Sequence, residues 1–124
     1  MDANLLNGLT LAYMGDAYFE ILIRQHFINL GYNKVNDLHK LVIKYTSGKS
    51  QAEFIHHFLA NDILTEEETQ IFKRGRNSHV HTSRKNLDIK TYMDATGFEA
   101  LIGYLYLKNE LNRIEKLIEI IFSL

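Results

Sequence analysis

An all-α domain of about five to seven helices is the fold that this chain of 124 residues predicts, and three observations predict it. Proline is absent and only seven glycines are scattered along the chain, whereas a sheet of comparable size needs more turn punctuation. Apolar residues recur at three- and four-residue steps, the period of one helix face. Two stretches have the Ser/Thr-x-x-Glu pattern that opens a helix with a capping box.

The elements follow in chain order. Leu5, Leu9, Ala12, Tyr13, Asp16, Phe19, Ile23 and Phe27 mark one stripe of a long first helix. A loop at GYNKVND comes next, with Asn36 or Asp37 as the N-cap of a short helix through Tyr45. Ser50-Gln51-Ala52-Glu53 is placed to cap a third helix through FIHHFL, and Thr65-Glu66-Glu67-Glu68 a fourth through TQIFKR. From Arg76 to Lys90 polar residues take over and a loop is expected. A long helix resumes near Thr91 and runs through FEALIGYLYL, and a last amphipathic one covers 111–122. No repeat, low-complexity segment or linker interrupts the series, so residues 1–124 are expected to form one domain.

Composition narrows the classes of function. Hydrophobic residues make up 46% and aromatics 11%, which is a globular balance long enough to bury a core. Without cysteine there is no disulfide framework and no thiolate zinc site. The N-terminus MDANLLNGLT lacks the basic start of a secretory signal, and no apolar run approaches the roughly 18 residues of a membrane span. A cytoplasmic protein is the expectation.

Two acids stand out because of their company. Asp16 interrupts LAYMGDAYFEILI, and Glu99 interrupts ATGFEALIGYLYL. An uncompensated carboxylate taken out of water costs several kcal/mol, so each is either exposed, paired with a neighbouring Arg, or holding a cation. Should the two helices pack side by side, the carboxylates would repel unless a cation lay between them. Mg²⁺ suits that arrangement, since it takes one or two carboxylates and completes its shell with water and substrate phosphate.

Charge supplies a second signal. The formal net charge is −1, yet 73–90 holds six basic residues (Lys73, Arg74, Arg76, Arg84, Lys85 and Lys90) against Asp88 alone, leaving 8 basic and 14 acidic residues elsewhere. Interleaved Asn77, Ser78, Thr82, Ser83 and Asn86 add the amides and hydroxyls that phosphate and ribose contacts use. A solvated basic loop is the alternative. His79 and His81 form an H-x-H pair that could ligate a metal, or be two exposed histidines.

MGDA together with FEALIGYLYL resembles the two signature helices of the ribonuclease III endonuclease domain. LNGLTLAYMGDAYFE, NDLHK, KSQAE, FKRGRN and RKN fall in the order and spacing of its Mini-III branch, which has the catalytic domain alone, and the resemblance covers nearly the whole chain. It implies an all-helical homodimer that cuts double-stranded RNA with Mg²⁺, or Mn²⁺ in its place. The implied substrate is the paired stem of precursor 23S ribosomal RNA, and a ribosomal protein is a further candidate partner. Asp16 matches the aspartate of the family's L-G-D motif and Glu99 the glutamate of its E-A-L-I-G motif, both metal-associated and catalytic. Ribonuclease III at large carries a Glu four residues before that aspartate and an Asp three before that glutamate. Here those positions are Ala12 and Thr96, as in the Mini-III branch.

The reaction implied is metal-assisted phosphodiester hydrolysis, which requires no side-chain nucleophile. With no room after Leu124 for a double-stranded RNA-binding domain, the catalytic domain is expected to grip RNA alone, through Lys73, Arg74, Arg76, Arg84 and Lys85. Glu20, one turn from Asp16, could assist or lie at the surface, whereas Asp94, five residues before Glu99, points elsewhere around the helix. The rival reading is a helical module of the same fold that binds RNA or a ribosomal protein without cutting.

Overall fold

The computed structural model describes residues 1–78 and 87–124, so the sequence-based roles of His79, His81, Arg84 and Lys85 lie outside the described residues. Those described form a short 3-10 turn, Ala3–Leu5, and six α-helices: α1 (Gly8–Asn29), α2 (Val35–Thr46), α3 (Gly48–Ala60), α4 (Glu66–Arg76), α5 (Ile89–Leu107) and α6 (Leu111–Ser123). There is no strand among them. No described helix is long and apolar enough to cross a membrane.

The helix starts show which short-range signals were reliable. Thr65 caps α4 as expected: its hydroxyl accepts from Glu68 N at 3.1 Å, and the Glu68 carboxylate accepts from Thr65 N at 2.9 Å. The Ser50 box is corrected. Ser47 caps α3 three residues earlier, accepting from Ser50 N at 3.2 Å, while Ser50 Oγ donates to Lys44 O at 2.6 Å. Ser50 cannot cap a helix that has already begun, and it ties α3 back to α2 instead.

α2 is corrected likewise. It begins at Val35, after Lys34, with no side-chain cap, and Asp37 falls in its first turn, where a negative charge favours the helix dipole. Helix α5 starts two residues earlier than Thr91, because Asp88 accepts from both Thr91 N and Thr91 Oγ1 at 2.9 Å.

The architecture is a sheath around α5. Every residue from Asp94 to Leu105 is buried, the pattern of a helix enclosed on all sides. Helices α1, α3 and α4 supply most of the enclosure. Phe19 of α1 meets Phe98 edge-to-face at 5.0 Å, and Phe54 and Phe58 of α3 close around the same ring.

The stripe expected on α1 needs correction. Its buried residues are Gly8, Leu11, Ala12, Gly15, Phe19, Ile23 and Phe27, while Leu5, Leu9, Tyr13 and Asp16 are exposed. At about 100° per residue, Leu9, Tyr13 and Asp16 occupy a second, neighbouring stripe; the glycine beside Asp16, with no apolar side chain to advertise it, marks the inward one.

Helix α6 is anchored by a buried ion pair. Glu68 is 5% exposed, and Arg113 donates to it through Nε and Nη2, both at 2.8 Å, with Nη2 also reaching Ile63 O at 2.8 Å. Burial alone would raise the Glu68 carboxyl, but the Arg113 guanidinium and the Thr65 amide hold it below the ordinary glutamate value.

Candidate active site

The two singled-out carboxylates arise from one helix crossing. A methyl carbon placed on Gly15 would lie 1.7 Å from Glu99 O and 2.8 Å from Gly103 N, and one on Gly103 would lie 1.9 Å from Leu11 O. Helices α1 and α5 therefore touch backbone to backbone, which only glycine permits. Asp16 follows directly after Gly15, and Glu99 contributes the carbonyl that Gly15 meets. Both acids are thus rooted at a single point, one on each helix.

Their environments differ. Glu99 is 5% exposed within the enclosed face of α5, whereas Asp16 is exposed. Asp16 is therefore tolerated in an apolar sequence because α1 turns it out of the core. Glu20 is partly exposed and paired with Arg24 one turn on, at 3.0 Å, which is the surface position. At the two positions where ribonuclease III at large carries acids, Ala12 is buried and Thr96 donates its hydroxyl to Tyr92 O at 3.0 Å. Neither adds a carboxylate to the crossing.

Among the described residues no group of three or more Asp, Glu or His side chains gathers into a closed metal cage. The donor set at the crossing is instead two carboxylates on facing helices. That set fits a hard divalent ion which keeps most of its coordination for water and substrate oxygens, and Asp16 and Glu99 are the residues that would hold it.

The basic segment is rearranged relative to its expected place. Lys73 and Arg74 lie in the last turn of α4, within the helix expected through TQIFKR, and Arg76 closes that helix where the loop was expected to begin; cations are favoured at a helix C-terminal end. Arg74 and Arg76, two residues apart and so about 200° around the helix, face different ways. Arg74 donates to Asn4 O at 2.9 Å and Leu6 O at 3.2 Å, fastening the N-terminal turn. Arg76 donates through Nε to Asp94 Oδ1 at 2.7 Å.

Asp94 lies five residues before Glu99 on α5, about 140° around the helix, and its surroundings are not bland. Its side chain is 3% exposed and its second oxygen meets His56 Nε2 at 2.7 Å. His56 drew no attention in the sequence because its partners lie 38 residues away on another helix. A second acid inside the apolar run of α5 was the one available signal.

Residues 9–110 match the family model described as Ribonuclease III domain. The Mini-ribonuclease 3 of Enterococcus faecalis is 50% identical over 117 residues, spanning 94% of this chain and 89% of that protein. That of Streptococcus pneumoniae is 48% identical over 118 residues, spanning 95% and 92%. A Fusobacterium nucleatum protein solved by X-ray crystallography superposes with a TM-score of 0.85 at 34% identity, covering 94% of this chain and 93% of that one.

Proposed function

This chain belongs to the ribonuclease III family, in its Mini-ribonuclease 3 branch, and we propose that it hydrolyses phosphodiester bonds of double-stranded RNA with Mg²⁺ bound at Asp16 and Glu99. The observation that carries the reading is the crossing of α1 and α5 at Gly15 and Gly103, which roots both carboxylates at one point. When bound, the ion would supply Lewis acidity, neutralising charge on the phosphoryl oxygens and acidifying water. The chain's own contribution is to hold negative charge where that ion is needed. Glu99 does so from the rigid interior of α5, and Asp16 from the exposed side of α1, where substrate has access.

Substrate choice rests on A-form shape, since duplex RNA is read through phosphates and 2′-hydroxyls and not through base edges. Lys73 and Arg76, at i and i+3 on α4, share one face and are the described cations for that contact; Arg74 is taken up by the N-terminal turn. Residues 1–124 act as one catalytic domain. The substrate is the paired stem of precursor 23S ribosomal RNA, met in the cytoplasm, with a ribosomal protein as an accessory partner.

Cutting both strands calls for two such centres related by a two-fold axis, so the working form is a homodimer. What supports this is the exposed apolar row Leu5, Leu9 and Tyr13, which leads along α1 to Asp16. Purified protein incubated with a perfect RNA duplex should yield discrete fragments with Mg²⁺ and none with EDTA. Asp16→Asn and Glu99→Gln should each reduce cleavage at least about a thousandfold while leaving the helical circular dichroism intact, since each keeps the shape and removes the charge the ion requires. Near-normal activity in either variant removes that residue from the site.

A further inference from the structure

A carboxylate as buried as Asp94 needs compensation, and here both oxygens are used. Oδ1 accepts from Arg76 Nε and Oδ2 from His56 Nε2, each at 2.7 Å. The Arg76 contact is made through Nε, so the far edge of the guanidinium stays outside the pair. There Nη1 donates to Asn77 Oδ1 at 3.2 Å, and Nη2 makes no hydrogen bond among the described residues. The side chain of Arg76 is 33% exposed and that of His56 53%. A partly exposed arginine is thus held in one orientation by its Nε, with Nη2 left over among the described residues.

Its place in the fold gives that orientation a use. A methyl carbon on Gly75, the residue before Arg76, would lie 2.4 Å from Ala100 Cβ and 3.1 Å from Gly97 Cα. The end of α4 is therefore pressed on the same turn of α5 that carries Glu99, and Arg76 follows directly after that contact.

We propose that Asp94 is a positioning residue for RNA binding, fixing the guanidinium of Arg76 so that its outer edge takes a phosphate oxygen of the duplex backbone next to the scissile bond, with His56 bracing the same carboxylate from α3. The proposal rests on the reading of this chain as a duplex ribonuclease. A planar guanidinium matches a phosphate through parallel N–H groups as a lysine cannot. Lys73 adds a second cation on the same face of α4. An orientation set before RNA arrives spares the ordering cost that a free surface side chain incurs on binding.

The test is steady-state cleavage of one RNA duplex by the full chain, with melting curves as the check on folding. Arg76→Ala should raise KM roughly tenfold, with kcat within about twofold, because the contact positions substrate and leaves the chemistry to Asp16 and Glu99. Arg76→Lys should recover little of that loss. Asp94→Asn should raise KM by a similar factor, and combining it with Arg76→Ala should add almost nothing, the signature of one residue acting through the other.

His56→Ala, which alters a half-exposed side chain, serves even where Asp94→Asn folds poorly: it should raise KM about two- to threefold with Arg76 present and not at all in Arg76→Ala. Independent, multiplying effects of His56→Ala and Arg76→Ala would overturn the proposal. So would a melting temperature that falls while KM and its salt dependence stay put, since that would reduce the cluster to a clasp between helices. If the unaltered chain neither binds nor cuts duplex RNA, the functional reading fails first and this inference with it.

Discussion

Gly15→Ala sets two effects of opposite sign against each other. The added carbon would meet Glu99 O at 1.7 Å and Gly103 N at 2.8 Å, and real contacts of this kind are not closer than 3.0 Å. Helices α1 and α5 must therefore part by roughly 1.3 Å at the crossing, or bend, because both obstacles are backbone. Overpacking costs about 1–3 kcal/mol, and the upper end applies where nothing flexible can yield. Against this, alanine is favoured over glycine inside a helix by about 1 kcal/mol.

The net loss is about 2 kcal/mol. With an unfolding entropy of about 2.1 cal/mol/K per residue, or roughly 0.26 kcal/mol/K for the chain, Tm should fall by about 8 °C. Activity should suffer more than stability. If Asp16 and Glu99 share one ion as proposed, a displacement of about 1 Å between them costs on the order of a hundredfold in rate. Thermal melts at fixed protein concentration and single-turnover cleavage at 25 °C measure the two. A variant that melts about 4 °C higher than the parent, as helix propensity alone would give, with unchanged turnover, would refute the close crossing and its role.

Arg113→Ala should leave Glu68 buried without its cation and cost about 3 kcal/mol at pH 7, or roughly 11 °C in Tm. Because the folded Glu68 carboxyl is held below its ordinary value of 4.5, the pair contributes stability above that pH and loses it as pH falls through the lower folded value. The gap between variant and parent should accordingly narrow from pH 7 to pH 4, and an equal gap at both would rule out the ion pair as its source. Tyr13→Glu places a charge on an exposed row of α1 (Tyr13 is 78% exposed) and should convert a sedimenting dimer into monomers without unfolding them. Unchanged sedimentation would acquit this face, and a parent chain already monomeric at micromolar concentration would end the homodimer reading.

The helical class was legible because it depends on short-range features: no proline, a 3.6-residue period, and Thr65 three residues before Glu68. Where two caps competed within one short stretch, as at Ser47 and Ser50, spacing alone could not rank them. The choice was made by the Lys44 carbonyl of the preceding helix. On α1 the apolar row through Leu9 and Tyr13 looked like the inward face, yet the tightest contact is made by Gly15, which carries no side chain for any hydrophobic pattern to register. Asp16 and Glu99 could be singled out because a lone acid in apolar company is conspicuous in one dimension. The Asp94, Arg76 and His56 cluster could not, since its members come from three helices and become neighbours only once α5 is enclosed.

The enclosure of α5 also sets a timetable for the nascent chain. The partners of α1 at its buried face lie roughly ninety residues downstream, so at about 5–20 residues per second the ribosome takes roughly 5–18 s to deliver them. Through that interval Leu11, Phe19, Ile23 and Phe27 have been made and α5 has not, and α2 and α3 can cover only part of the exposed surface. The segment that fills the centre of the core is also the one that carries Glu99. A truncated chain ending before it would hold the first carboxylate on an unsheltered apolar helix, prone to self-association and chemically inert, so that cutting ability arrives together with the centre of the core.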